Sequence, residues 1–408
     1  MARVLLAWEL GGHFGHVSAL GPIAAELLRR GHEVLAALNN IQDAPRFLPR
    51  EVDLLPTPRL VSTRPREAGP SAKPAQPHSY GDLLTAIGHG EPESLAILIR
   101  SWRALLRVIR PDLVVFESAP TAMLASRDLP FAKVAFGSGY SIPPRTTPLP
   151  PLLPHLALPF ADAERRERSL VLGINEALRK NEISPIKALC DLFELDATLI
   201  KSVPELDQYG ARKDVEYVGP SYTLETGGEV DFPAGTAPRV FLYLRPLQHG
   251  AVEAIVRELA AAPIRAIAVL PSATNEQIAR LRLPHVKAST QPAKLAGLTR
   301  TADLAVCQSA VGTGAAFLFA GVPLVLLPTT LEQEMSARRV VEAGAGVIMP
   351  ANQPGSLAAT IERALARPAL RDNARKLAAK YGADDEAARA RKVCDRLERA
   401  LSERARAS

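Results

Sequence analysis

The sequence predicts an α/β protein made of two doubly wound, Rossmann-like domains that face each other across a cleft. Three observations carry that expectation. Short runs that are apolar on both faces alternate with stretches of helical periodicity, as in a parallel sheet covered by helices on both sides. The alternation restarts after residue 219, behind a segment rich in Gly, Pro, Thr and acid. The length of 408 residues, with 47% hydrophobic and 23% charged, suits two or three globular domains with sizeable cores. The boundaries that follow are a first domain at 1–219, a linker at 220–238, a second domain at 239–383 and a helical tail at 384–408.

In order along the chain, Val4–Leu10 is an apolar run that ends in glycines, and Val17–Arg30 has apolar residues at helical spacing until Gly31 stops it. Glu33–Leu38 is the next strand and Asp53–Pro56 a weaker one. Leu95–Ile109 is an amphipathic helix, and Asp112–Glu117, Ala132–Phe136 and Thr198–Lys201 are further buried strands. Two segments break the rhythm. Arg59–His89 is rich in Pro, Ser and Gly, and Thr146–Phe160 is apolar but full of proline, which excludes a regular membrane helix. Both read as walls of a binding pocket or as surface loops. The second array runs through strands at Val240–Leu244, Arg265–Leu270, Val286–Ala288, Ala305–Cys307, Leu324–Leu327 and Val347–Met349. Helices start at Ala251, near Glu276, at Gly312 and at Glu332.

Composition narrows the partners. Lys and Arg (49) exceed Asp and Glu (43) by six, a mild excess that suits an anionic ligand or a membrane-surface bias. Only 5% of residues are aromatic, which argues against nucleic acid. Cys190, Cys307 and Cys394 lie far apart with no CxxC, so neither a disulfide framework nor a zinc site is expected. Glu9 interrupts the first apolar run, which therefore reads as a strand and not a signal peptide. No apolar stretch reaches the ~18 residues of a membrane span. The expected compartment is the cytoplasm; the oligomeric state is open.

The stretch from Ala305 to Ala316 reads as strand, small-residue turn, helix start. Ser309, Gly312, Thr313 and Gly314 allow close backbone approach, and the first helical amides point outward, as at an anion site. On this segment alone a plain Thr-capped helix is the preferred reading. The sequence continues with Gly321-Val322-Pro323, Pro328, Glu332-Gln333, Ala337, Val340, Gly344 and Gly346. With Thr313, these residues resemble the donor signature of family 1 nucleotide-sugar-dependent glycosyltransferases of the GT-B fold, the group that includes UDP-glycosyltransferases and macrolide glycosyltransferases. The resemblance implies an inverting, metal-independent transfer from a UDP- or dTDP-sugar to an acceptor hydroxyl, with no resident cofactor. It assigns hydroxyls of the transferred sugar to Glu332 and Gln333, and places Arg245 near the diphosphate. The segment Ser289–Pro292 would rest against the base.

Three positions depart from the family pattern. Gln308 stands for the histidine at the diphosphate and brings no cationic form. Ser309-Ala310 replaces a Gly-Gly pair. Ala316 replaces the ribose-binding Glu, which leaves room for a deoxyribose donor such as a dTDP-sugar.

The first strand ends in Gly11-Gly12-His13-Phe14-Gly15-His16, at the carboxyl edge where open α/β sheets bind ligands. The pattern is not GxGxxG, because His16 takes the third Gly position. It resembles the Gly-His-x-x-Pro region of the same family, with Ala19 for the Pro. That likeness implies His16 as general base, a task suited to imidazole with its ordinary pKa of about 6.5. Glu117, at the end of its strand, is placed to orient the base, or else caps the next helix. His13 is the alternative base or an acceptor contact. The apolar, Pro-rich segments suggest a hydrophobic small-molecule or lipid acceptor, with peripheral membrane contact in the lipid case. Two alternatives stay open at this point: a non-catalytic relative that binds a nucleotide sugar or a partner protein, and a nucleotide-sugar epimerase on the same fold.

Overall fold

The computed structural model describes residues 1–12, 14–60, 76–245, 251–349, 357–382 and 385–407. The chain divides into two compact units. One comprises Met1–Lys201, Arg212–Val218 and Ala387–Ser408; the other comprises Ser202–Ala211 and Gly219–Glu386.

In the first unit, β1 (Arg3–Trp8) leads into α1 (Phe14–Arg29), then β2 (Glu33–Leu38) and β3 (Asp53–Pro56). Two helices, α2 (Tyr80–Ala86) and α3 (Pro92–Ile109), precede β4 (Leu113–Glu117). They are followed by α4 (Pro120–Ser126), β5 (Ala132–Gly137), α5 (Phe160–Arg179), β6 (Ala197–Ile200) and β7 (Glu216–Tyr217). The seven strands form one sheet in the order β3-β2-β1-β4-β5-β6-β7, with every neighbouring pair parallel. The alternation of a strand explains why these runs are apolar throughout. Leu5 and Ala7 of β1, with Val114 and Phe116 of β4, enter one core layer, beside Trp102 and Ile174 of the covering helices. Val4, Leu6 and Trp8, with Leu113 and Val115, enter the other layer, beside Leu20 and Leu27 of α1.

The Pro-rich segment 146–160 is part of the core. Leu149, Leu152 and Leu153 are buried, and the Leu149 amide donates to Glu167 Oε2 at 2.7 Å. Helix α2, which no apolar periodicity reveals, starts at a capping box between Ser79 and Asp82.

In the second unit, β8 (Arg239–Tyr243), α6 (Ala251–Ala261), β9 (Arg265–Val269), α7 (Asn275–Arg280), β10 (Val286–Ser289) and α8 (Leu295–Thr301) come first. Then follow β11 (Leu304–Cys307), α9 (Thr313–Leu318), β12 (Leu324–Leu326), α10 (Leu331–Glu342) and β13 (Gly346–Ile348). Helices α11 (Leu357–Leu365) and α12 (Pro368–Tyr381) complete this unit. Its sheet is parallel, in the order β10-β9-β8-β11-β12-β13. The Gly- and Pro-rich stretch 220–238 is bound along this unit: Tyr222, Leu224, Val230 and Phe232 pack against its core, and Gly228 bridges to Ala293.

The last helix, α13 (Glu386–Ala407), belongs largely to the first unit. Its Val393, Cys394, Leu397 and Ala400 join the core layer of α1 and the N-terminal strands. Arg30 of α1 fixes it laterally, 2.7 Å from each of Glu26, Asp395 and Glu398.

Candidate functional site

Strand order locates the chemistry before any side chain is considered. In the first sheet the chain winds outward through β1, β2 and β3, then returns to the other side of β1 with β4. The loops after β1 and β4 leave in opposite directions, and a crevice opens at their carboxyl ends. His16 follows β1 and Glu117 ends β4, opposite Trp8 in the register. Both candidates therefore sit at this switch point.

The structure brings the two together. His16 Nδ1 lies 2.6 Å from Glu117 Oε2. The imidazole stacks on Trp8 with ring centroids 5.2 Å apart and planes within 17°. Its other nitrogen, Nε2, faces Gly11, which has φ of +95° and where a Cβ would stand only 2.3 Å from that nitrogen. Any side chain at Gly11 would cover Nε2. Glu117 is 1% exposed, and its second oxygen accepts from Lys201 Nζ at 2.5 Å. Burial pushes the Glu117 carboxyl up, but His16 and Lys201 outweigh it and hold the pKa down to about 2. The carboxylate is thus ionised, and it stands where it can accept a proton carried on His16 Nδ1.

Sequence reasoning missed Lys201. The one available signal was a cation at the carboxyl end of an apolar strand. Glu9 was also unassigned. It caps α4, accepting from the amides of Thr121 at 3.0 Å and Ala122 at 2.6 Å. His13 lies outside the described residues.

The second sheet has the same kind of switch point between β8 and β11, where Tyr243 is in register with Cys307. Arg245 follows β8 and Gln308 follows β11. The Gln308 carbonyl accepts from the Arg245 amide at 3.2 Å, and its NH2 donates to Thr329 Oγ1 at 3.3 Å. Thr329 donates from its amide and its hydroxyl to Gln333 Oε1, at 2.8 and 2.9 Å. Arg245, Gln308 and Gln333 are therefore joined through a threonine that sequence reasoning did not single out. The Arg245 guanidinium donates to the Tyr243 hydroxyl at 3.1 Å.

Ser309, Gly312, Thr313 and Gly314 form the turn into α9, a helix of six residues. The turn is tight because residue 314 has no side chain: a Cβ there would meet Ser309 O at 2.0 Å. Glu332 is half-buried at the second position of α10, whose first turn is capped by Thr330 accepting from the Gln333 amide. Ala316 is 2% exposed within the apolar core, so no acceptor group stands at that position. Ser289 and Pro292 bracket a short loop held at both ends: Ser289 O accepts from Leu270 and Pro292 O from Gly228.

Residues 255–397 match a family model described as the C-terminal domain of erythromycin biosynthesis protein CIII-like proteins. A "PGL/p-HBAD biosynthesis glycosyltransferase" of Mycobacterium tuberculosis H37Ra is 28% identical over 329 residues, covering 74% of this chain and 75% of the relative. Among solved structures, the calicheamicin glycosyltransferase CalG4 superposes with a TM-score of 0.73 at 19% identity, over 98% of both chains. The glycosyltransferase VinC, crystallised with dTDP, gives 0.68 at 17% identity over 98% of this chain and 100% of its own.

Proposed function

We infer that this chain, a glycosyltransferase of the GT-B fold and family 1 type, moves a sugar from a nucleoside diphosphate to an acceptor hydroxyl beside His16, with inversion. The observation that carries the reading is the pairing of His16 with an ionised, buried Glu117 at the switch point of the first sheet. The acceptor O–H gives its proton to His16 Nε2 while its oxygen bonds to the anomeric carbon. The bond from that carbon to the diphosphate oxygen breaks, and its electron pair leaves with the nucleoside diphosphate. Glu117 stabilises the imidazolium that forms. Attack opposite the leaving group inverts the centre.

The donor is assigned to the second unit. Ser309, Gly312, Thr313 and Gly314, with Gln308 and Arg245, are proposed to hold the diphosphate as negative charge grows on it. Glu332 and Gln333 hold sugar hydroxyls. Ala316 offers nothing to a ribose 2′-hydroxyl, which favours a dTDP-sugar. The relatives, a calicheamicin glycosyltransferase and a PGL/p-HBAD biosynthesis glycosyltransferase among them, favour a hydrophobic small-molecule or lipid acceptor. Among the described residues no helix is long and apolar enough to cross a membrane, and we place the reaction in the cytoplasm.

A thermal-shift screen of UDP-, dTDP- and GDP-sugars tests the donor half. The expected result is stabilisation by dTDP-sugars above the others, rising with concentration as mass action requires. No shift with any of them at millimolar concentration overturns the reading.

A further inference from the structure

Lys201 stands where β6 ends and is the third member of the row that starts at His16. Its Nζ lies 2.5 Å from Glu117 Oε1, and Glu117 Oε2 lies 2.6 Å from His16 Nδ1. The lysine side chain is 9% exposed and the carboxylate 1%. Such a pair is costly to desolvate, and an apolar residue of similar length would serve packing better. A base oriented by a carboxylate needs no cation, so the lysine calls for its own explanation.

We propose that Lys201 is a positioning residue that neutralises Glu117 on the oxygen His16 does not use, so that Nε2 stays free to receive the acceptor proton. This rests on the reading of His16 as the base. Without the ammonium, the buried carboxylate against the imidazole draws a solvent proton onto Nε2 and blocks the base. With Lys201 in place the three side chains sum to zero charge while Nε2 is empty. Glu117 of β4 touches the imidazole, and Lys201 at the end of β6 touches Glu117. The neighbouring β1 presents the uncharged Trp8, and Asn39 after β2 donates to Gly11 O at 2.9 Å. The first turn of α1 carries no acid, and Glu9 is turned to the amides of Thr121 and Ala122.

The test compares Lys201→Met and Lys201→Arg in the full chain. In Lys201→Met the acid limb of the kcat/KM pH profile is expected to move up by roughly one unit. On the acid side of that limb kcat should fall about tenfold while the acceptor KM stays within about twofold. Lys201→Arg should restore the limb, which a packing role alone would not require. A pH titration of the His16 ring protons in the free protein reads the same displacement without any turnover. Lys201→Gln carries the same expectation should the methionine variant fail to fold. A ring titration unchanged in whichever neutral variant folds overturns the proposal. A displaced titration alongside full activity of a His16 variant keeps the role of Lys201 and removes His16 as the base.

Discussion

Glu9 and His89 meet the same residue, Thr121, and burial drives their charges in opposite senses. Glu9 accepts the Thr121 amide, while His89 Nε2 lies 3.3 Å from its hydroxyl. Burial raises the Glu9 carboxyl to about 7, against the pull of its donors, and lowers His89 to about 4. The fold therefore favours a proton on Glu9 and disfavours one on His89. Glu9 adds stability as pH falls from 7 towards its ordinary 4.5; His89 removes stability as pH falls from its ordinary 6.5 towards 4. The slopes oppose each other in one window. His89→Leu uncovers the Glu9 slope, so going from pH 7 to about 5 should favour the variant over wild type by about 2 kcal/mol. Urea unfolding at the two pH values measures this, and a difference that does not change with pH sinks it. His16 and Glu117 were legible because glycines before a helix and an acid at a strand end mark a sheet edge. Lys201 and the link from Thr329 to Gln308 were not, because these partners are 84 and 21 residues apart and no local pattern announces them.

Among the elements, α13 has the largest consequence relative to its appearance. Its sequence is dense in Arg and Glu and reads as a solvated tail, yet Leu397 is fully buried in the layer behind α1. Leu397→Ala should destabilise the protein by about 3 kcal/mol, the usual cost of a cavity at a fully packed leucine. Calorimetry would show it as a lowered Tm, and an unchanged Tm would mean that the helix does not hold that layer. The strands were the legible elements, since both faces are apolar and their bounds hold to within a residue or two. Helices α2 and α5 were hidden by prolines at or before their starts, where the chain reads as loop. Stretch 220–238 looked like a linker because it forms no regular element, although its four apolar side chains are anchored on the second unit.

At the scale of the whole molecule, two parallel sheets repeat one winding, with His16 and Glu117 where strand order reverses in one and Arg245 and Gln308 where it reverses in the other. The proposed base belongs to the first unit and the proposed donor contacts to the second, so the two proposed functions should separate by mutation. His16→Ala should lower turnover by ~10²–10⁴ while leaving the affinity for dTDP within about twofold. Isothermal titration and single-turnover assays read the two quantities, and a variant that keeps full turnover removes His16 from the mechanism.

The return of α13 to the first unit has a consequence for biosynthesis. A ribosome delivers residues 1–201 long before residue 387, so the N-terminal sheet emerges with part of the cover on its α1 side still missing. The second unit is, in chain order, an insertion within the first. Residues 1–201 must wait for residues 387–408 before their core can close, and nascent chains halted upstream of residue 387 should need chaperones to stay in solution.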